Sequence, residues 1–118
     1  MVLIDEFSTS TADSVPGMIA DARRGVLYGM RTNGAGGNNT SFHAGSYTEG
    51  LAGMTLALQA RKGKVGGFGF PYSEYIENVG VWPDIPDDYM TQANLLQSGA
   101  PFVSGFLQHM AAEIRAKK

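Results

Sequence analysis

The spacing of apolar residues changes along the chain, and each change marks an element. Val2, Leu3, Ile4 and Phe7 form a short apolar run that gives way to the polar Ser8-Thr9-Ser10-Thr11. Residues 1–13 therefore read as an extended arm that packs back on its own domain or onto a neighbour. Val15, Met18, Ile19, Ala22, Val26 and Met30 then recur at three- and four-residue steps, the stripe of an amphipathic helix. Ser14 suits the cap, Pro16 the first turn and Asp13 the positive end, so the spacing predicts a helix over 14–30. Residues 31–46 carry no periodicity and hold one large apolar residue, Phe42, as expected of a long flexible loop.

From Met54 the period becomes two, with Met54, Leu56 and Leu58 on one side of a strand. Arg61-Lys62-Gly63-Lys64 reads as its hairpin turn, and residues 65–70 as the returning strand, with Phe68 and Phe70 on one face. Pro71 opens a short helix through Tyr72, Tyr75, Ile76 and Val79. An irregular segment over 80–90 carries Trp82, and a brief helical turn follows over 89–97. Pro101 starts a C-terminal helix with the stripe Phe102, Val103, Phe106, Leu107, Met110 and Ile114. The expected fold is α+β, in a single domain over 1–118. It has an N-terminal helix, a small antiparallel sheet or hairpin, a short middle helix, and a C-terminal helix packed on the sheet.

Composition narrows the function classes. The 118 residues include no cysteine, which excludes disulfides, thiol catalysis and iron–sulfur or zinc-ribbon sites. No apolar stretch approaches the ~20 residues of a membrane span, and the start lacks the basic region of a signal peptide. A net charge of −2 argues against a dedicated nucleic-acid binder. The cations gather as Arg23, Arg24 and Arg31, as Arg61, Lys62 and Lys64, and as Arg115, Lys117 and Lys118. The acids gather at Asp84, Asp87 and Asp88, so opposite patches suit contacts between copies or partners.

Familiar chemical motifs are missing. Gly63-Lys64 is followed by valine, so a phosphate-binding loop fails, and so does the dinucleotide pattern. His43 and His109 lack further ligands at helical spacing, and no G-x-S-x-G elbow surrounds any serine. Glu74 and Glu77 read as a solvated helix face. On these grounds no catalytic, cofactor-binding or metal residue is assigned, no cofactor is expected, and the chain is expected not to be an enzyme.

The order of elements, the run Tyr72-x-x-Tyr75-Ile76-Glu77 and the step Pro101-Phe102 into the last helix resemble the small tail-completion and neck proteins of long-tailed bacteriophages. That resemblance covers residues 54–118. It implies a non-enzymatic ring-forming component at the head–tail junction, located in the virion. Its partners would be its own copies and neighbouring connector and tail-tube proteins, with no membrane and no sequence-specific nucleic acid. The unsatisfied surfaces supply the contacts: Phe68, Phe70, Tyr72, Tyr75, Glu77 and Trp82 as an assembly interface, and Val2, Ile4, Phe7 and Phe42 as arm and loop contacts. A capsid decoration or minor capsid protein, and a small single-strand nucleic-acid-binding module, are the alternatives.

Overall fold

In the computed structural model, which describes residues 1–47, 49–67, 69–70 and 72–116, the chain is α+β. It runs β1 (Val2–Ile4), α1 (Thr11–Asp21), β2 (Leu27–Gly29), β3 (Asn38–His43), β4 (Leu51–Ala57), β5 (Ala60–Val65), β6 (Ser73–Tyr75), β7 (Ile85–Pro86), α2 (Gln92–Leu96) and α3 (Ala100–Ala116). β1, β2 and β7 form a parallel sheet in that order, while β3–β4 and β5–β6 are antiparallel pairs. The N-terminal apolar run is thus a strand. Val2 lies opposite Leu27 and Ile4 opposite Gly29, and α1 is the crossover that lets two parallel strands be neighbours.

The core sits where this sheet meets the turn after β6. Ile4, Leu27, Tyr28, Ile76, Val79 and Val81 are its buried apolar residues. On β2, Tyr28 also receives α3: the rings of Phe102, Phe106 and His109 lie 5.5, 5.7 and 5.6 Å from it. The Tyr28 hydroxyl is hydrogen-bonded to Asp87. Desolvation, then the Asp87 hydrogen bond and charge, push the phenol up to about 12. The aspartates read as a charged patch are partly structural, since Asp84 accepts the Leu27 amide at 2.7 Å and Asp88 the Met90 amide at 2.8 Å.

The core is thin for the length of chain. The radius of gyration is 17.6 Å, against ~13 Å for a compact domain of this size. β3 is exposed at all six residues, and α3 buries none of its seventeen.

Several elements differ from their sequence expectation, each for a physical reason. The helix expected over 14–30 starts at Thr11 and stops at Asp21. Arg23 then turns to a positive φ of 50°, and Leu27 and Tyr28 enter the sheet. Burial of those two side chains outweighs their agreement with a helical stripe. Within 31–46, residues 38–43 form β3. A strand exposed on both faces has no reason to alternate, so it leaves no periodic trace. β4 is the strand expected from period two, but it pairs with β3. Arg61, Lys62 and Lys64 lie inside β5, not in a turn, and β5 pairs with β6.

The short helix expected from residue 71 is instead β6 followed by a tight turn. The Val79 and Gly80 amides both donate to the Ile76 carbonyl, at 3.0 and 2.7 Å. That turn buries Ile76 and Val79 at a helix-like spacing of three. Phe68, Pro71, Lys117 and Lys118 lie outside the described residues. The C-terminal helix and the helical turn over 89–97 stand as α3 and α2.

Two features set stability. Gly29 has a φ of +122°, and a Cβ there would sit 2.2 Å from the Ile4 carbonyl oxygen. Gly29→Ala should therefore part β1 from β2 and destabilise the fold by at least ~2 kcal/mol. An unchanged urea midpoint would refute this. The second feature is the clamp of β5 on the end of α1. Arg61 meets Asp21 with two hydrogen bonds of 2.9 and 2.8 Å, and the Lys62 amide adds a third at 2.9 Å.

The Arg61 hydrogen bond, set against some desolvation and helped by the Lys62 amide and both cations, holds the Asp21 carboxyl below its ordinary value. A carboxyl depressed in the fold contributes stability that is full above the unfolded value near ~3.9 and is lost as pH falls through the folded value. Asp21→Asn should be less stable than the parent at neutral pH. The gap should close on acidification below about pH 4, as read by urea midpoints across pH. A gap independent of pH would show that the pair is not linked to folding.

Candidate active site

β1 ends at Ile4, and a six-residue connection leads into α1. Asp5 organises it: its Oδ1 accepts the Phe7 amide at 3.1 Å and the Ser8 hydroxyl at 2.9 Å. The Asn33 amide donates to the Ser8 carbonyl at 2.9 Å and ties the connection to the segment after β2.

At the junction stands Ser10, the N-cap of α1, with φ 58° and ψ −117° and no capping hydrogen bond from its side chain. Serine at this position ordinarily spends its hydroxyl on the first free amides of the helix. Here the carbonyl of Ser10 is engaged instead, by the amides of Asp13 and Ser14, both at 3.0 Å, and by the Ser14 hydroxyl at 3.1 Å. A non-glycine residue in such a conformation carries about 1–3 kcal/mol of strain, which persists only where the surroundings impose it. The result is a hydroxyl left free at a sharp strand-to-helix turn.

Ser10 opens on a cavity of about 560 Å³, which it lines with Thr11 and Ser14 on one side and Gly36, Gly37 and Asn38 on the other. Thr11 is the first residue of α1, so its amide has no acceptor within the helix and faces the same end. Ser14 is further joined to Gln59 by a side-chain hydrogen bond. On the far wall the Gly37 amide donates to Glu77 Oε2 at 2.8 Å. A Cβ on Gly37 would sit 2.5 Å from Thr55 Cγ2 and 3.0 Å from that same oxygen, so only glycine brings this backbone up to the carboxylate. One hydrogen bond thus separates Glu77 from the wall that faces Ser10.

The residues singled out as contacts fall in different places. Val2 and Ile4 lie in β1, with Ile4 buried, whereas Phe7 is 72% exposed and Phe42 stands half-exposed on β3. Phe70 and Trp82 meet edge-to-face at 5.8 Å, with the Arg31 guanidinium 4.3 Å from the Phe70 ring. Tyr75 pairs opposite Ala60, and Tyr72 is exposed. Glu77 was picked out for an interface and stands beside the cavity. His43 ends β3 opposite Leu51, and His109 packs on Tyr28, so neither histidine lines the cavity.

The turn at Ser10, Ser8-Thr9-Ser10-Thr11-Ala12, does not fit the G-x-S-x-G pattern. Its signal was the order of an apolar strand, a short polar turn and a serine at a helix start, hidden by placing the helix start at Ser14.

Comparison with known proteins shows a family. Residues 1–86 match the model of Peptidase family S41. A structure of mature CPAF complexed with lactacystin is similar over 99% of this chain and 21% of that one, at 26% identity and a TM-score of 0.77. A crystal structure of mature CPAF is similar over 72% of this chain and 15% of that one, at 32% identity and a TM-score of 0.59. The chain therefore spans about a fifth or less of the length of these CPAF chains. No curated protein matches it.

These findings overturn the resemblance to phage tail-completion and neck proteins. The non-enzymatic virion component falls with it, as do the ring among connector and tail-tube proteins and the virion location. The capsid and nucleic-acid alternatives gain no support. The Tyr-x-x-Tyr-Ile-Glu run that carried the resemblance is β6 and the turn presenting Glu77, a different element satisfying a short degenerate pattern. With the family model spanning β1 through β7, the chain belongs to Peptidase family S41.

Proposed function

We propose that this chain carries the nucleophile of a serine peptidase, and that the nucleophile is Ser10. The observation that carries the reading is the strained backbone of Ser10 at the start of α1, with its hydroxyl uncommitted and open to a cavity. A serine on a sharp strand-to-helix turn is the arrangement that exposes Oγ for attack, with the amide of the following residue stabilising the oxyanion.

Ser10 Oγ gives its proton to a base and bonds to the carbonyl carbon of the substrate. The resulting oxyanion is held by the Thr11 amide. Collapse breaks the C–N bond, the leaving amine takes the proton, and water then cleaves the acyl ester to restore Ser10. Neither histidine of this chain lines the cavity, so the base is a group other than His43 and His109. Glu77 serves as the carboxylate that orients it, since a base acts only when a third group fixes its direction.

In the polypeptide that carries this chain, Ser10→Ala should lower kcat for peptide hydrolysis at least ~10³-fold and abolish labelling by a fluorophosphonate. Ser10→Gly should be equally inactive yet more stable, because glycine adopts a positive φ without strain. Glu77→Gln should retain labelling at a reduced rate, with kcat down ~10²-fold or more. Undiminished hydrolysis by the alanine variant would refute the nucleophile, and undiminished hydrolysis by the glutamine variant would refute the orienting carboxylate.

A further inference from the structure

Among the described residues Asp13 is the one charged side chain with no solvent exposure, and it makes no ion pair. A buried, unpaired carboxylate is expensive unless several donors satisfy it. Its two oxygens each take one of two consecutive amides: Oδ1 accepts Gly34 N–H at 2.8 Å and Oδ2 accepts Ala35 N–H at 3.0 Å. The first turn of α1 adds favourable potential, since Asp13 is three residues past the cap. An amide side chain of the same shape would have one acceptor for these two donors and would turn its own N–H₂ against the other.

The segment held in this way is the one that reaches the far wall of the cavity. The Gly34 carbonyl accepts the Asn78 amide at 2.7 Å, and two residues beyond Ala35 the Gly37 amide holds Glu77. Helix α1 carries Ser10 at its cap and Asp13 one turn later. A single buried carboxylate therefore joins the element that aims the nucleophile to the loop that seats Glu77. Ile19 and Ala20 seat the later turns of α1 on the core, whereas its first turn meets the opposite wall through Asp13.

Resting on the reading of Ser10 as nucleophile, we infer that Asp13 is a positioning residue. It sets the separation between the Ser10 hydroxyl and the glycine-lined wall that holds Glu77, without touching substrate. Misplacement by an ångström at such a site is worth about 100-fold in rate.

The test follows fluorophosphonate labelling in the polypeptide that carries this chain, reading separately the fraction of molecules labelled at saturation and the rate constant per labelled site. Asp13→Asn should leave the saturating fraction near that of the parent, while the per-site rate constant and kcat fall about 10- to 100-fold with KM little changed. A purely structural role would do the reverse, with a lower labelled fraction and an unchanged rate constant, and that result would overturn the inference. Should Asp13→Asn fail to fold, an ester in place of the Gly34–Ala35 peptide bond removes one donor and keeps the shape. It should slow labelling in the same way, and an unchanged rate would overturn the inference. Ser10→Ala is the control that separates the two ideas. Labelling that persists in it overturns both. Labelling abolished there, but of parental rate in the Asp13 variant, overturns only the role of Asp13.

Discussion

The hydrogen bonds flanking the β1–β2 ladder, Val2 N–H to Val26 and Met30 N–H to Ile4, both 2.9 Å, oblige the chain to return in the direction in which it left. Only a crossover achieves that, and α1 is the crossover. Its start must then lie just past the carboxyl end of β1, the side of a parallel sheet on which ligands bind. Ser10 occupies this place because the sheet is parallel, and Gly29 permits the sheet by leaving room for the Ile4 carbonyl. The place of Ser10 therefore depends on a backbone contact in which its own side chain takes no part.

Strain at Ser10 needs surroundings that hold it, in a molecule with few buried apolar residues to supply them. Hydrogen bonds do that work. The Ser10 carbonyl takes three donors from the first turn of α1, Asp5 braces the approach, and Asn33 ties that approach to the segment after β2. Each is a modest net contribution, ~1 kcal/mol, yet together they match the ~1–3 kcal/mol that the conformation costs. A site built in this way tolerates a thin core, because its precision comes from directional bonds rather than from packed volume.

The parts of the fold legible in the sequence were those whose pattern answers to one neighbour. α3 shows its stripe because one side faces Tyr28, and β4 shows period two. The first helix was overextended because Val26 and Met30 continue a three-four spacing by coincidence, while Leu27 and Tyr28 are claimed by the sheet. β3 left no trace because both its faces are exposed. Ile76 and Val79 imitated a helix because one tight turn also places residues three apart on one side. Glu77 drew notice as part of an interface, and its place beside Gly37 follows from a contact forty residues away in sequence. At Ser10 the order of strand, polar turn and serine marks the place, but the backbone angle there is imposed by the sheet and the helix together.

The cavity that Ser10 opens on is lined by uncharged residues, with Gly36 and Gly37 presenting backbone alone. A wall of backbone has no rotamers with which to adjust and must be held from behind. Asp13 and Glu77 grip the loop from opposite ends, one through Gly34 and Ala35 and the other through Gly37. The glycines that bring this loop up to Glu77 are thus held in place by two carboxylates.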